Sequence, residues 1–139
     1  MDSVIMSIHP EWWEKIKSGE KTLEIRKTRP TKISFPFKII WYVTGGVGIV
    51  GESICPEIIW DQSDYMPLTD GSCLTQPELW KYAGESDGTA GIILYGWRLT
   101  RTIEYYERPA TLFEYGLKRP PQSWQYYFID FISKIGGNA

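Results

Sequence analysis

The chain has 139 residues, 42% hydrophobic and 15% aromatic, which suits one domain with its own core and leaves no room for a second full one. A net charge of -2 and a pI near 5.4 exclude a protein that coats nucleic acid by bulk electrostatics. The longest apolar run, Ile39 to Val43, is far short of the ~20 residues of a membrane span, and no hydrophobic signal core opens the chain, so a soluble, cytoplasmic, single-domain protein (residues 1–139) is expected.

The first element is a short apolar run, Val4 to Ile8, suited to a buried strand. A helix follows in HPEWWEKIKSG, with Pro10 at its first position, Gly19 as its stop, and Trp12 or Trp13 together with Ile16 on its inner face. In KTLEIRK the alternation is strict: Leu23 and Ile25 face one way, Glu24 and Arg26 the other, the pattern of a strand with one side in the core. FKIIWYV and VGIVGESI read as antiparallel strands joined by a tight turn at Thr44-Gly45-Gly46. Residues 61–76 have no usable period and are rich in Asp, Ser, Gly and Pro, so a mobile loop is expected there.

A second helix is predicted from Thr75, where Thr75 and Glu78 make the S/T-x-x-E capping box and Gly84 supplies the stop. Gly91 to Tyr106 reads as strand, bent near Gly96 because an interior glycine weakens a strand. The last stretch, PPQSWQYYFIDFISKIGG, spaces Trp124, Tyr127, Phe128, Phe131, Ile132 and Ile135 at helical intervals, with Gly136 and Gly137 at its end, and predicts a helix packed on the core. Strands with a few separated helices define an α+β domain built on a small curled sheet or partly open barrel.

Charge is unevenly placed. Lys21 to Lys38 holds six basic residues against Glu24 alone, whereas Glu52 to Asp87 holds eight acidic residues against Lys81 alone. Cys55 and Cys73 lack CxxC spacing and His9 is the single histidine, so two buried thiols and no structural metal or cofactor are expected.

Three segments carry a resemblance. Met6 to Lys27, with Gly19, Lys21, Glu24 and Arg26 forming G-x-K-x-x-E-x-R, then IVGE at Ile49 to Glu52, then RPPQSWQYY at Arg119 to Tyr127, closely resemble the ASCH domain of the PUA-like superfamily, in order and over nearly the whole chain. The resemblance implies a partly open β-barrel of about five or six strands with flanking helices and a cleft beside the first helix, in a superfamily whose members bind RNA or modified nucleobases and whose small stand-alone copies occur in bacteria and phages. Carried over by position, Lys21, Glu24 and Arg26 line the cleft, Ser7 and His9 close the first strand, and Gln122, Ser123 and Trp124 stand near the rim, with Arg29 extending the basic run.

The residue types fit such a ligand. Arg26 and Lys21 suit phosphate as a planar fork and a point charge, Glu24 can accept from the amino edge of a base, and Trp124 or a neighbouring Tyr can stack on it. RNA or a nucleoside or nucleotide is therefore the expected partner. A bland alternative is that Glu24 and Arg26 only pair with neighbouring charges. A small hydrolase using Lys21 and Glu24, either nucleoside amidohydrolase-like or a ribonuclease, is the enzymatic alternative. ASCH relatives that hydrolyse acetylated cytidine use a Lys, a Thr three positions on and a distant Glu; here Glu24 stands at the Thr position, which argues against that reaction. The acidic middle and its Tyr65-Met66-Pro67 tip leave a protein-interaction adaptor as a third possibility.

Overall fold

The structure, a computed structural model, describes residues 1–84, 91–105 and 107–128. The chain opens with β1 (Ser3–Ile8), then α1 (Pro10–Lys17), β2 (Leu23–Arg26), β3 (Phe37–Val43), β4 (Gly48–Cys55), β5 (Ile58–Asp61), α2 (Gln76–Ala83), β6 (Leu94–Arg98), β7 (Thr100–Glu104) and β8 (Trp124–Tyr127). The strands form two sheets: one of five in the order β7-β4-β3-β1-β8, and one of three in the order β2-β6-β5. Among the described residues no strand pairing closes the two sheets into a barrel, so the α+β domain is a partly open one.

Among the described residues every pairing is antiparallel except β1 with β3, Ser3 opposite Lys38 through Ile8 opposite Val43. A parallel pair needs a crossover, and this one carries α1 and β2, which is how the charged segment comes to lie beside the end of β1. All six residues of β1 are buried because strands flank it on both edges and side chains cover both its faces. One core, around Val4, Met6, Trp13, Ile16, Trp41 and Trp97, fills the space between the five-stranded sheet, α1 and β6. A second packs β2 and β6 against α2 through Leu23, Ile25, Leu79 and Leu94, with Tyr65 and Leu68 from residues 61–76 fully buried in it. A third, around Ile5, Ile40 and Ile49, lies on the outer face of the larger sheet.

Helix ends follow their sequence signals. Pro10 opens α1, Gly19 follows it at φ +84°, and α2 has both halves of the Thr75–Glu78 box and a left-handed Gly84. Gly45 and Gly46, both at φ +82°, make the turn between β3 and β4, a conformation that branched residues resist.

Two expectations are corrected. Trp124–Tyr127 is a strand rather than the start of a helix, pairing antiparallel with β1, Ser3 opposite Tyr127. The intervals among Trp124, Tyr127 and Phe128 fit a helix, but an open edge of β1 demands hydrogen-bond partners, and aromatic residues suit a pleated strand equally well. Phe131, Ile132, Ile135, Gly136 and Gly137, also assigned to that helix, lie outside the described residues, as does Tyr106. The break in the 91–106 strand falls at Leu99, not Gly96: β6 ends in the small sheet and β7 begins in the large one. Gly96 instead lets β6 approach β2, since a Cβ there would stand 3.0 Å from the Leu23 side chain. Among the described residues no helix is long and apolar enough to cross a membrane.

Candidate functional site

The charged stretch begins where α1 ends. Gly19 turns the chain, the Lys21 N–H donates to the Lys15 carbonyl, and the chain enters β2 with Leu23 and Ile25 in the second core. Alternation sends Glu24 and Arg26 to the opposite face, beside the end of β1. Lys21 is 2% exposed: its Nζ donates to the Ser72 carbonyl at 2.6 Å, lies 3.3 Å from Glu24 Oε1, and sits 4.8 Å from the Trp12 ring centre. The other carboxylate oxygen, Oε2, accepts from Arg26 Nη2 at 2.6 Å and Nε at 2.9 Å. Glu24 is thus a buried anion held between two cations.

Arg26 has five N–H donors, and each has an acceptor. Besides the two on Glu24, Nη2 donates to the Ser7 carbonyl at 2.8 Å, and Nη1 to Ser123 Oγ at 3.0 Å and more weakly to its carbonyl at 3.4 Å. The Ser7 hydroxyl in turn donates to the Pro121 carbonyl. Arg26 therefore ties β2 to the end of β1 and to the segment entering β8. Burying these charges is tolerable only because each has a partner at short range; a lone buried ion costs several kcal/mol.

The cluster forms part of the wall of a cleft of about 360 Å³ between α1, β2 and α2. Six residues expected from the sequence are brought together in it: Ser7, His9, Lys21, Glu24, Arg26 and Gln122. Ser123 supports Arg26 from outside the lining. Trp124 lies apart, its Nε1 donating to Thr28 Oγ1 at 2.9 Å and its ring against Trp97 and Tyr126. Arg29 lines a separate groove, over the Tyr95 ring.

The lining also includes residues that the sequence reading did not select: Trp12, Thr44, Leu74, Glu78 and Tyr82. Trp12 and Trp13 are adjacent on α1, so a helical step sends Trp13 into the core and Trp12 to the cleft. Glu78 and Tyr82 are four residues apart on α2, the spacing of one helix face, with Leu74 just before its cap; the spacing is present in the sequence but without an indication of what that face meets. Thr44 stands in the β3–β4 turn, 3.1 Å from His9 Nδ1 through its hydroxyl.

Two of these side chains have shifted acidities. The Thr75 backbone N–H and hydroxyl donate to Glu78 and hold its carboxyl below the usual carboxylate range. Burial raises the Tyr82 phenol, with Arg26 opposing and Glu24 reinforcing the effect, so it remains a neutral donor at physiological pH. Thr22, which would be the remaining threonine near Lys21, is turned away: its hydroxyl stands beside Gly71 and its backbone N–H donates to the Gly71 carbonyl. Among the described residues no group of three or more His, Cys, Asp and Glu side chains is arranged to hold a metal.

No family model and no curated protein matches this sequence. The fold matches solved ASCH structures from Zymomonas mobilis. The crystal structure of that ASCH protein is 21% identical, with a TM-score of 0.75 over 97% of this chain and 94% of that one. A serine-to-alanine variant of it, 20% identical, superposes at 0.75 over 98% of this chain and 95% of that one. A tyrosine-to-phenylalanine variant, also 20% identical, does so at 0.75 over 99% and 98%. The chain therefore has the ASCH fold along nearly its whole length.

Proposed function

We propose that the cleft binds one nucleoside or nucleotide, free or splayed out of a single-stranded RNA, and that the protein is a binding module. The observation that carries this reading is the buried Lys21–Glu24–Arg26 cluster, two cations on one carboxylate, in the wall of a concave site flanked by Trp12 and Tyr82. The cluster itself is net positive, but the ionised Glu78 in the same lining balances it, so the cleft is near neutral and suits the polar edge of a nucleoside base. A volume near 360 Å³ is at the small end of the ~300–1,000 Å³ of small-molecule sites, suited to a single nucleoside rather than a duplex.

The three charged side chains differ in how many of their hydrogen-bonding groups are already engaged. Arg26, whose donors are all engaged, holds the site together and leaves phosphate to other groups. Lys21 uses two of its three N–H donors, on Ser72 and Glu24, and Glu24 Oε1 has acceptor capacity beyond Lys21. One donor beside one acceptor suits the hydrogen-bonding edge of a base, while Tyr82 and Trp12 supply faces for stacking. The hydrolase reading has one observation in its favour, the 3.3 Å approach of Lys21 to Glu24 in a buried setting. It is weakened by geometry: both Glu24 oxygens already face a cation, Oε1 on Lys21 and Oε2 on Arg26.

The test is a thermal-shift and calorimetric titration of nucleosides, their acetylated and methylated forms, 5′-monophosphates and short single-stranded RNAs. Wild type should respond to a nucleoside or nucleotide, with ~2.7 kcal/mol of stabilisation at 100 times Kd, and Tyr82→Ala and Gln122→Ala should weaken binding while melting normally. A wild type indifferent to the whole panel refutes the proposal. Turnover of an acetylated nucleoside or RNA would move the assignment to the hydrolase.

A further inference from the structure

We infer that the groove beside Arg29 is a second subsite, where single-stranded RNA leaving the cleft stacks a further base. This rests on the proposed function of the cleft and extends it from a single nucleotide to a strand. The groove, about 410 Å³, is lined by Arg29, Phe35, Ile58, Trp60, Ile93 and Tyr95. Trp60 is 62% exposed and Phe35 46% exposed. Isolated exposed apolar residues are ordinary on any protein surface. Here two large aromatics share a concave groove with a guanidinium, which is a different situation.

Arg29 contrasts with Arg26. Its guanidinium lies 5.9 Å from the Tyr95 ring centre and makes no hydrogen bond or ion pair among the described residues. Its donors therefore face water, free for phosphate oxygens, while the aromatic groups beside it offer faces to a base. Among the described residues it is the one charged side chain lining the groove. The neighbouring Asp61 carboxylate is occupied elsewhere, accepting from the Ser63 and Tyr65 backbone N–H groups at 3.1 and 2.9 Å. Residues 27–32 contain Lys27, Arg29 and Lys32 and no acidic residue. An apolar peptide docked here would cover an uncompensated charge; a polyanion with aromatic bases would match both features of the groove.

Two geometric relations join this groove to the cleft. Arg26, Tyr95 and Trp60 are register partners across β2, β6 and β5 and so share one face, with Trp60 two strand spacings, about 10 Å, from Arg26. On the exposed segment after β2, Lys27 sits 4.8 Å from the centre of the Tyr82 ring at the cleft, and Arg29 lies over Tyr95 in the groove. These two cation–aromatic pairs are only two residues apart, at most ~7 Å along the chain. A strand leaving the cleft over Lys27 reaches Arg29 next.

The experiment is fluorescence anisotropy with a labelled single-stranded RNA decamer of mixed sequence, alongside calorimetry with cytidine 5′-monophosphate, on wild type, Arg29→Gln, Trp60→Ala and Trp60→Phe. Trp60→Ala and Arg29→Gln should each weaken the decamer by roughly 5- to 100-fold and leave the mononucleotide unchanged. Trp60→Phe should restore most of the loss, and Arg29→Gln should flatten the salt dependence by about 0.7 in logarithmic slope per lost phosphate contact. Equal decamer affinity in wild type and both variants, with the mononucleotide still bound, overturns this inference alone. Binding of neither probe by wild type removes it together with the proposed function. A wild-type dimer that Trp60→Ala dissolves without changing RNA affinity would assign the groove to a second copy of the chain and overturn the subsite.

Discussion

Glu24 shows how much one carboxylate can be asked to hold. Both its oxygens lie on cations, the buried Lys21 and the partly buried Arg26, so its charge stabilises two groups with little access to water. Glu24→Gln keeps the shape and removes the charge, leaving two adjacent cations, one of them buried, that repel each other. A loss of about 3–5 kcal/mol is expected in urea unfolding. Lys21→Met should cost less, about 1–3 kcal/mol, because the Glu24–Arg26 pair survives and the main orphan is the Ser72 carbonyl. The reverse order of the two variants would show that Lys21, not Glu24, is the centre of the cluster. Arg26 and Arg29, equivalent basic residues of one run in the sequence, differ in the same way: one makes five hydrogen bonds to four acceptor atoms, the other lies over an aromatic ring.

At the level of elements, α2 is short, and a helix of eight residues has little stability of its own. Its first turn is fixed by the reciprocal bonds of Thr75 and Glu78, and its inner side by Leu79 and Ala83 in the second core. The same helix carries Glu78 and Tyr82 into the cleft, so the cap positions part of the site. Thr75→Ala is expected to lower stability by about 1 kcal/mol and weaken nucleotide binding, whereas Thr75→Ser should restore both; urea melts and calorimetry check this. If Thr75→Ala binds as tightly as wild type, α2 does not contribute to the ligand site. This cap was plain in the sequence because its bonds are local. β8 was not, because the chemistry of four aromatic and polar residues permits helix or strand, and the free edge of β1, more than a hundred residues away, made the choice.

For the molecule as a whole, several buried acids set an alkaline limit. Burial pushes the Cys55 thiol from 9.0 up to about 12, and raises the Tyr105 and Tyr127 phenols as well. Each group holds its proton more tightly folded than unfolded. Their contribution is fully present below the ordinary unfolded values and is lost as pH rises towards the folded ones. Unfolding free energy should therefore fall between pH 9 and about 12, and Cys55→Val should flatten the start of that decline while leaving the tyrosine part. Urea titrations across that range measure it; an unchanged slope in Cys55→Val would mean that the thiol contributes nothing.

The sequence by itself determined what depends on neighbours along the chain. It located α1 and α2 with their caps, the tight turn at Gly45 and Gly46, and the alternation that puts Glu24 and Arg26 on one face. Its short motifs also carried the ASCH resemblance that the fold match bears out. Tertiary structure decided what depends on distant partners. It chose strand for Trp124–Tyr127, moved the sheet-to-sheet break to Leu99, and separated Trp12 from Trp13 between cleft and core. It also bound Arg26 by the Ser7 and Ser123 carbonyls while leaving Arg29 over Tyr95. Local signals act through the backbone torsions and bonds of a few adjacent residues, whereas a charge or an open strand edge is settled by whichever group the fold brings within about 3 Å of it.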